Sequence, residues 1–211
     1  MGILDWFKRP PPIADSAALV DFLDSHAAFM VQKGIFDYTR AIAGPSFSLL
    51  IRESVFAAAV DAARWKNYPL ALSMVAEMVD GVLRPFASSK EELGSALTRT
   101  ALDVFDGYAV PAALGAEAWS AARLDLETRL KRITLHATKF AKDIPLPLAE
   151  AVFNGMPIHE RLRGNHIEWV RNSLRSNLIR MHEEFSERAD CAALVAMLGV
   201  ASPARAPQPT A

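Results

Sequence analysis

The sequence lacks most of the features that identify a function directly. Its 211 residues include a single cysteine, Cys191, so an intramolecular disulfide is impossible and a reducing compartment is favoured. No apolar run reaches the roughly 18 residues that a membrane-spanning helix needs. The amino terminus also lacks the order of charged and apolar residues that marks a secretory signal. We therefore expect a cytoplasmic protein.

An excess of charge of one sign is also missing. The 23 lysines and arginines are offset by 24 aspartates and glutamates, which argues against nucleic acid as a partner. With 51% hydrophobic residues, the chain is too apolar to be disordered as a whole. One basic run is balanced by nearby carboxylates, and we interpret it as a solvated helix face. It comprises Arg129, Lys131, Arg132, Lys139 and Lys142.

Catalytic and cofactor signatures of known sequence form are absent. The chain has no Gly-x-Ser-x-Gly, no glycine-rich phosphate loop and no His-Glu-x-x-His. None of the five histidines follows a glutamate by three residues, as the di-metal helical bundles require. We predict no metal and no cofactor. The sequence leaves open whether the protein is an enzyme, and the absence of these motifs favours a protein that is not one.

Apolar residues recur at three- and four-residue spacing through most of the chain, and no stretch alternates with period two. This pattern predicts a single compact all-α bundle of seven to nine helices over residues 13–200. The expected caps are Asp15 or Ser16, Ser88 or Ser89, and Asn165. Gly34, the segment 67–69 and Pro145 are expected helix ends, with one long helix over residues 116–142. Residues 201–211 are predicted to be a disordered tail.

The helix predicted over residues 70–84 is almost entirely apolar and carries one narrow polar stripe. Its members are Ser73, Glu77, Asp80 and Arg84, which share a helix face. Asp80 and Arg84 are spaced to pair with each other. A solvated face with a local salt bridge is the favoured interpretation, and a polar cleft or partner surface is the alternative. Glu77 and Asp80 are the only candidates for a catalytic base.

A second polar set lies along one edge of a later helix. Arg171, Arg175 and His182 are spaced by four and seven residues, so they line up and could bind an anion. The alternative is that these side chains pair with carboxylates or cover apolar surface. An inter-helix site would require this set to converge with Glu77 or Asp80 on one cavity. His26, on an apolar helix face, is expected to be a hydrogen-bonded core residue.

Residues 1–12 form a short amphipathic segment that ends in a proline hinge. Aromatic and basic side chains at this spacing suit a membrane surface or a partner protein. The alternative is that the segment folds back onto the core or frays. The contact residues would be Ile3, Leu4, Trp6, Phe7, Lys8 and Arg9.

Three segments resemble an uncharacterised family of short helical bacterial proteins: residues 64–85, the sequence QKGIFDY at 32–38, and residues 1–12. The resemblance implies an all-helical fold and carries no activity. The helical content and the central segment are also similar to ubiquinol–cytochrome c assembly chaperones, with no residue carried over. Together these observations predict a non-enzymatic protein-interaction or assembly factor, and the membrane alternative for residues 1–12 would place it peripherally at the cytoplasmic membrane face. The alternative is a ligand-binding protein or enzyme with an inter-helix pocket of acidic and Arg/His residues.

Overall fold

A computed structural model describes residues 11–159, 161, 164 and 166–201. This part of the chain is all-α, as predicted, with two isolated bridges and no strand. Seven helices have six residues or more, and one has four. They are α1 (Ser16–Ala43), α2 (Phe47–Leu50), α3 (Ser54–Leu83), α4 (Lys90–Asp106), α5 (Gly115–Arg132), α6 (Ala149–Asn154), α7 (Ile167–Arg188) and α8 (Cys191–Met197).

Two of the predicted helix ends are wrong. Gly34 lies inside α1, where it is buried, and a Cβ at this position would lie 3.8 Å from the terminal methyl group of Met156. Pro69 lies inside α3. A proline in a helix interior costs about 3 kcal/mol, because it removes one hydrogen bond. Burial of Tyr68, Pro69 and Leu70 offsets that cost, so tertiary packing overrides the local stop signal.

The long helix predicted over residues 116–142 is also wrong, because α5 ends at Arg132. A single 3₁₀ turn follows over Ile133–Leu135, and the chain then runs back toward α3. The guanidinium of Arg84 accounts for this end. It donates to the carbonyl oxygens of Ile133 at 3.4 Å and His136 at 2.9 Å, groups that would otherwise bond within a continuing helix.

The expected caps at Asp15 and Ser89 are confirmed. Each side chain accepts a hydrogen bond from a backbone N–H in the first turn of its helix. The third expected cap, Asn165, lies outside the described residues. The core centres on the second half of α3, which packs against α1, α4, α5, α7 and α8. Backbone hydrogen bonds join Ile13 to the end of α7, so the described ends of the chain lie against the same bundle.

Candidate functional site

The polar stripe of α3 faces a protein wall rather than open solvent. Within residues 67–80, Glu77 is the only residue that is not buried. Ser73 is buried and donates to the carbonyl of Leu70 at 2.8 Å. The segment from Ile133 to Lys139 runs past this face, since α5 has already ended. The expected solvated face is therefore wrong, whereas the predicted salt bridge within the stripe is present.

Asp80 and Arg84 form that salt bridge, with the guanidinium Nε 3.0 Å from the carboxylate Oδ2. Burial raises the pKa of Asp80, and the adjacent Arg84 opposes that rise. The second oxygen, Oδ1, is buried without a hydrogen-bond partner. Because Arg84 also binds two carbonyls of residues 133–136, the pair fixes the wall that covers the stripe.

Glu77 lies in a cleft that we call the basic cleft. Its carboxylate Oε1 is 2.7 Å from the Nζ of Lys139. The cleft has a volume of about 230 Å³, and its walls combine cations with apolar side chains. The wall residues are Ser73, Glu77, Arg129, Arg132, Ile133, His136, Lys139, Pro147 and Leu148.

The second predicted set does not join Glu77, because none of its members lines the basic cleft. Arg171 forms an ion pair with Glu168 on its own helix. Arg175 donates from Nε to the carbonyl of Lys142 at 3.1 Å. His182 is exposed on α7. An anion site built from Arg171, Arg175 and His182 together with Glu77 or Asp80 is not what the structure assembles.

His26 is half-buried and hydrogen-bonded, as expected of a core histidine, and its ring stacks on Phe22. Its Nε2 lies 3.1 Å from Glu184, and its Nδ1 lies 3.0 Å from the Phe22 carbonyl and 3.2 Å from the Ser25 hydroxyl. Although burial opposes it, hydrogen bonds from His26 and Arg188 lower the pKa of Glu184. Both ring nitrogens have partners in the fold, which fits a packing role for His26.

An apolar groove at one end of the molecule escaped the sequence analysis. We call it the tip groove; it lies where the end of α1 meets α2 and the start of α3. Its volume is about 170 Å³. Beside it, Leu49 is 67% exposed and Val55 is 83% exposed. The only sequence signal was the density of apolar residues over positions 47–56, which lack helical periodicity. The groove residues are Ile35, Phe36, Thr39, Phe47, Ile51, Phe56, Ala57 and Val60.

A carboxylate shared by two tyrosines was also missed. The hydroxyls of Tyr68 and Tyr108 both donate to the same oxygen of Asp24, each at 2.6 Å. Burial and the hydrogen bond to Asp24 raise the pKa of Tyr68, and raise that of Tyr108 to about 12. Both phenols therefore remain donors at neutral pH. They tie α3 and the connection after α4 to α1.

The remaining candidates add no chemistry to these surfaces. Cys191 is partly buried, and burial raises the pKa of its thiol, which makes it a poor nucleophile. Over the residues that the structure describes, no group of three or more His, Cys, Asp or Glu side chains is placed to hold a metal ion. In that same part of the chain, no helix is both long and apolar enough to cross a bilayer.

The predicted contact residues Ile3, Leu4, Trp6, Phe7, Lys8 and Arg9 lie outside the described residues, as do residues 202–211 of the predicted tail. Ala201, the first residue of that tail, forms an isolated bridge with Ala87. Comparison of the chain with protein-family models, with curated proteins and with solved structures finds no match. The resemblance of residues 64–85 to a bacterial family thus stays a prediction. Any functional argument must come from the chemistry of this chain.

Proposed function

We propose that the protein is an interaction factor that binds an amphipathic helix of another protein in the tip groove. The observation that carries this proposal is the exposure of large apolar side chains around a concave apolar surface. Contiguous exposed apolar surface is costly to a monomer in water and is typical of interaction sites. In the described part of the chain, much of the apolar surface of Leu49, Ile51 and Val55 is in contact with solvent, since each side chain is exposed.

The shape of the groove favours a helix over a flat surface. Two helices form its sides, and Thr39 lies within its lining with only 1% of its surface exposed. The hydroxyl oxygen of Thr39 is buried without a hydrogen-bond partner. Side chains projecting from one face of a partner helix at i, i+3 and i+4 suit such a concave apolar surface.

The charge around the groove favours a partner with an acidic flank. Arg40 lies over the ring of Phe47, 5.2 Å from its centroid, and Arg52 is exposed beside Ile51. Neither guanidinium forms a salt bridge with a carboxylate in the described part of the chain. Glu53 follows Arg52, so this rim keeps one net positive charge. Carboxylates flanking the apolar face of a partner helix would complement it.

The test is affinity purification of tagged full-length protein from its native cell, with wild type compared to Val55→Asp. An aspartate at this position places a charge beside the groove, so the bound protein should be lost. Leu124→Asp is the matched control, because Leu124 is 66% exposed on α5, away from the groove. Recovery of the same proteins with Val55→Asp as with wild type would overturn the proposal. Equal loss with Leu124→Asp would also overturn it.

We further propose that the protein acts in the cytoplasm, with residues 1–12 as a peripheral membrane contact. The support is the sequence of that segment, in which Trp6 and Phe7 precede Lys8 and Arg9. Flotation with anionic liposomes tests it, comparing the full chain with a version that lacks residues 1–12. We expect weak, salt-sensitive flotation that only the full chain shows. Absence of flotation in both would remove the membrane contact from the proposal.

A further inference from the structure

The structure brings together two features that lie far apart in the sequence, the polar stripe of α3 and the basic run of residues 129–139. They meet in the basic cleft, which does not depend on the tip groove or on its partner. Three permanent cations line this cleft: Arg129, Arg132 and Lys139. Its one carboxylate, Glu77, neutralises Lys139 alone. The cleft therefore holds a positive charge that the protein does not offset within it.

Both arginines line the cleft, and in the described part of the chain one of them is unpaired. Arg129 forms a salt bridge with Asp125, one turn earlier on the surface of α5, at 2.8 Å. The guanidinium of Arg132 makes no hydrogen bond or salt bridge among the residues that the structure describes, and it is exposed. Guanidinium groups bind carboxylates and phosphates through two parallel hydrogen bonds. Two of them on consecutive turns of one wall suit a single anionic group.

The early end of α5 creates this arrangement. Had the helix continued, Lys139 would lie about 10 Å beyond Arg132 along the helix axis, away from Glu77. Instead, Arg84 holds the carbonyls of Ile133 and His136, and the chain folds back so that Lys139 reaches Glu77. Arg84 and its partner Asp80 are thus positioning residues for the wall of the cleft. They need not touch a ligand.

The apolar residues of the cleft indicate the chemistry of the rest of the ligand. Ile133, Pro147 and Leu148 supply apolar surface beside the cations. We propose that the basic cleft binds a small organic anion, with a carboxylate or phosphate head held by Arg129 and Arg132 and an apolar body against these three residues. A volume of about 230 Å³ accommodates an anion that carries a single ring.

Three probes that share one apolar ring test the proposal: benzoate, phenyl phosphate and the neutral benzyl alcohol. Titration calorimetry of the full-length protein should show saturable binding of one or both anions and none of benzyl alcohol. The preferred head distinguishes a carboxylate ligand from a phosphate ligand. Binding of benzyl alcohol as tight as that of the anions would overturn the proposal. Absence of saturable binding of both anions would overturn it as well.

Three variants locate the binding. Arg132→Gln should lower the affinity for the anion about tenfold, because it removes a hydrogen bond from a charged group. Lys131→Gln, the matched control one residue away, removes the same charge from a side chain that pairs with Glu127 outside the cleft. It should change affinity by less than about twofold, because surface charges are screened by salt. Equal weakening by Lys131→Gln would reduce the effect to general electrostatics and overturn the site.

Glu77→Gln should raise the affinity for the anion, whereas damage to the fold would lower it. It removes the one negative charge in the cleft and releases Lys139 from its salt bridge, so anion affinity should rise severalfold. Ser73 and the apolar walls remain in place in this variant. Weaker binding in Glu77→Gln than in wild type would contradict the assignment, provided its unfolding midpoint in urea matches that of wild type.

Discussion

The two halves of α3 contain similar apolar residues and have opposite environments. Val55, in the first half, is 83% exposed, whereas Leu72, in the second, is fully buried. The second half is enclosed by α1, α4, α5 and α7. The first turns of the first half lie beside the tip groove, with the end of α1 and α2, and Trp65 further along packs on Tyr108 and Trp119. The hydrophobicity of a helix therefore indicates only which of its residues can be buried. The neighbouring elements decide which part is buried within the chain and which part stays exposed.

The largest expected effect comes from a matched pair of alanine substitutions in the two halves. Leu72→Ala should lower the free energy of unfolding by about 2–5 kcal/mol, because it removes transfer energy and leaves a cavity. Val55→Ala should change it by less than about 0.5 kcal/mol, since the side chain packs on little. Urea unfolding of both variants measures the difference. A comparable loss in Val55→Ala would mean that the tip is a folded core rather than a free surface.

A second prediction concerns the salt bridge at the end of the buried half. Arg84→Met should destabilise by about 2 kcal/mol, less than the full loss of a buried pair, because Asp80 can take up a proton. A carboxyl whose pKa is higher in the folded state than in the unfolded state binds a proton on folding. Its contribution to stability therefore falls as pH rises and recovers as pH falls toward its folded pKa.

The deficit of Arg84→Met should accordingly shrink between pH 7 and pH 5. Urea unfolding at the two pH values, with wild type in parallel, measures it. The double variant Asp80→Asn with Arg84→Met is the control, since it has no carboxyl at position 80, and its free energy of unfolding should lack the recovery on acidification that Arg84→Met shows. A deficit of Arg84→Met that grows on acidification would contradict the role given to burial of Asp80.

The smallest effect is expected where the connection after α4 is tied to α1 through Asp24. Tyr108→Phe removes one hydrogen bond and should cost about 1 kcal/mol at neutral pH. An ordinary tyrosine loses its proton near pH 10, whereas the pKa of Tyr108 in the fold is about 12. The unfolded chain releases this proton first, so wild-type stability should fall as pH rises from about 10 to 12. The fall should be shallower in Tyr108→Phe, and an unchanged slope would exclude Tyr108 as its source.

Local signals in the sequence account for the parts of the fold that were predicted. The all-α class follows from three- and four-residue spacing, and the caps at Asp15 and Ser89 depend only on residues within one turn. Gly34 and Pro69 are equally local signals, yet burial against distant segments overrides them. The end of α5 could not be predicted, because it is set by Arg84, which lies 52 residues before His136.

The residues of the candidate site also fall into those that local sequence predicts and those that depend on distant segments. Glu77 was singled out because a charge in an apolar helix needs a reason, and that inference required only the sequence. Its partner Lys139 is 62 residues away and was placed on a helix that does not extend so far. Arg171, Arg175 and His182 are candidates because their spacing places them along one edge of a helix. That spacing does not predict which other elements pack against the edge. The tip groove depends on exposure, which no spacing pattern reports.

The pairing of α1 with α3 has a consequence for the order of folding. Only residues 44–53 separate the two long helices, so the loop that must close before they meet is short and its entropy cost is small. The contact between α1 and α7 joins residues 158 positions apart, as at His26 and Glu184. Local contacts form fast, and distant ones must wait for the chain between them. We expect the α1–α3 hairpin to form the folding nucleus, with α7 docking last.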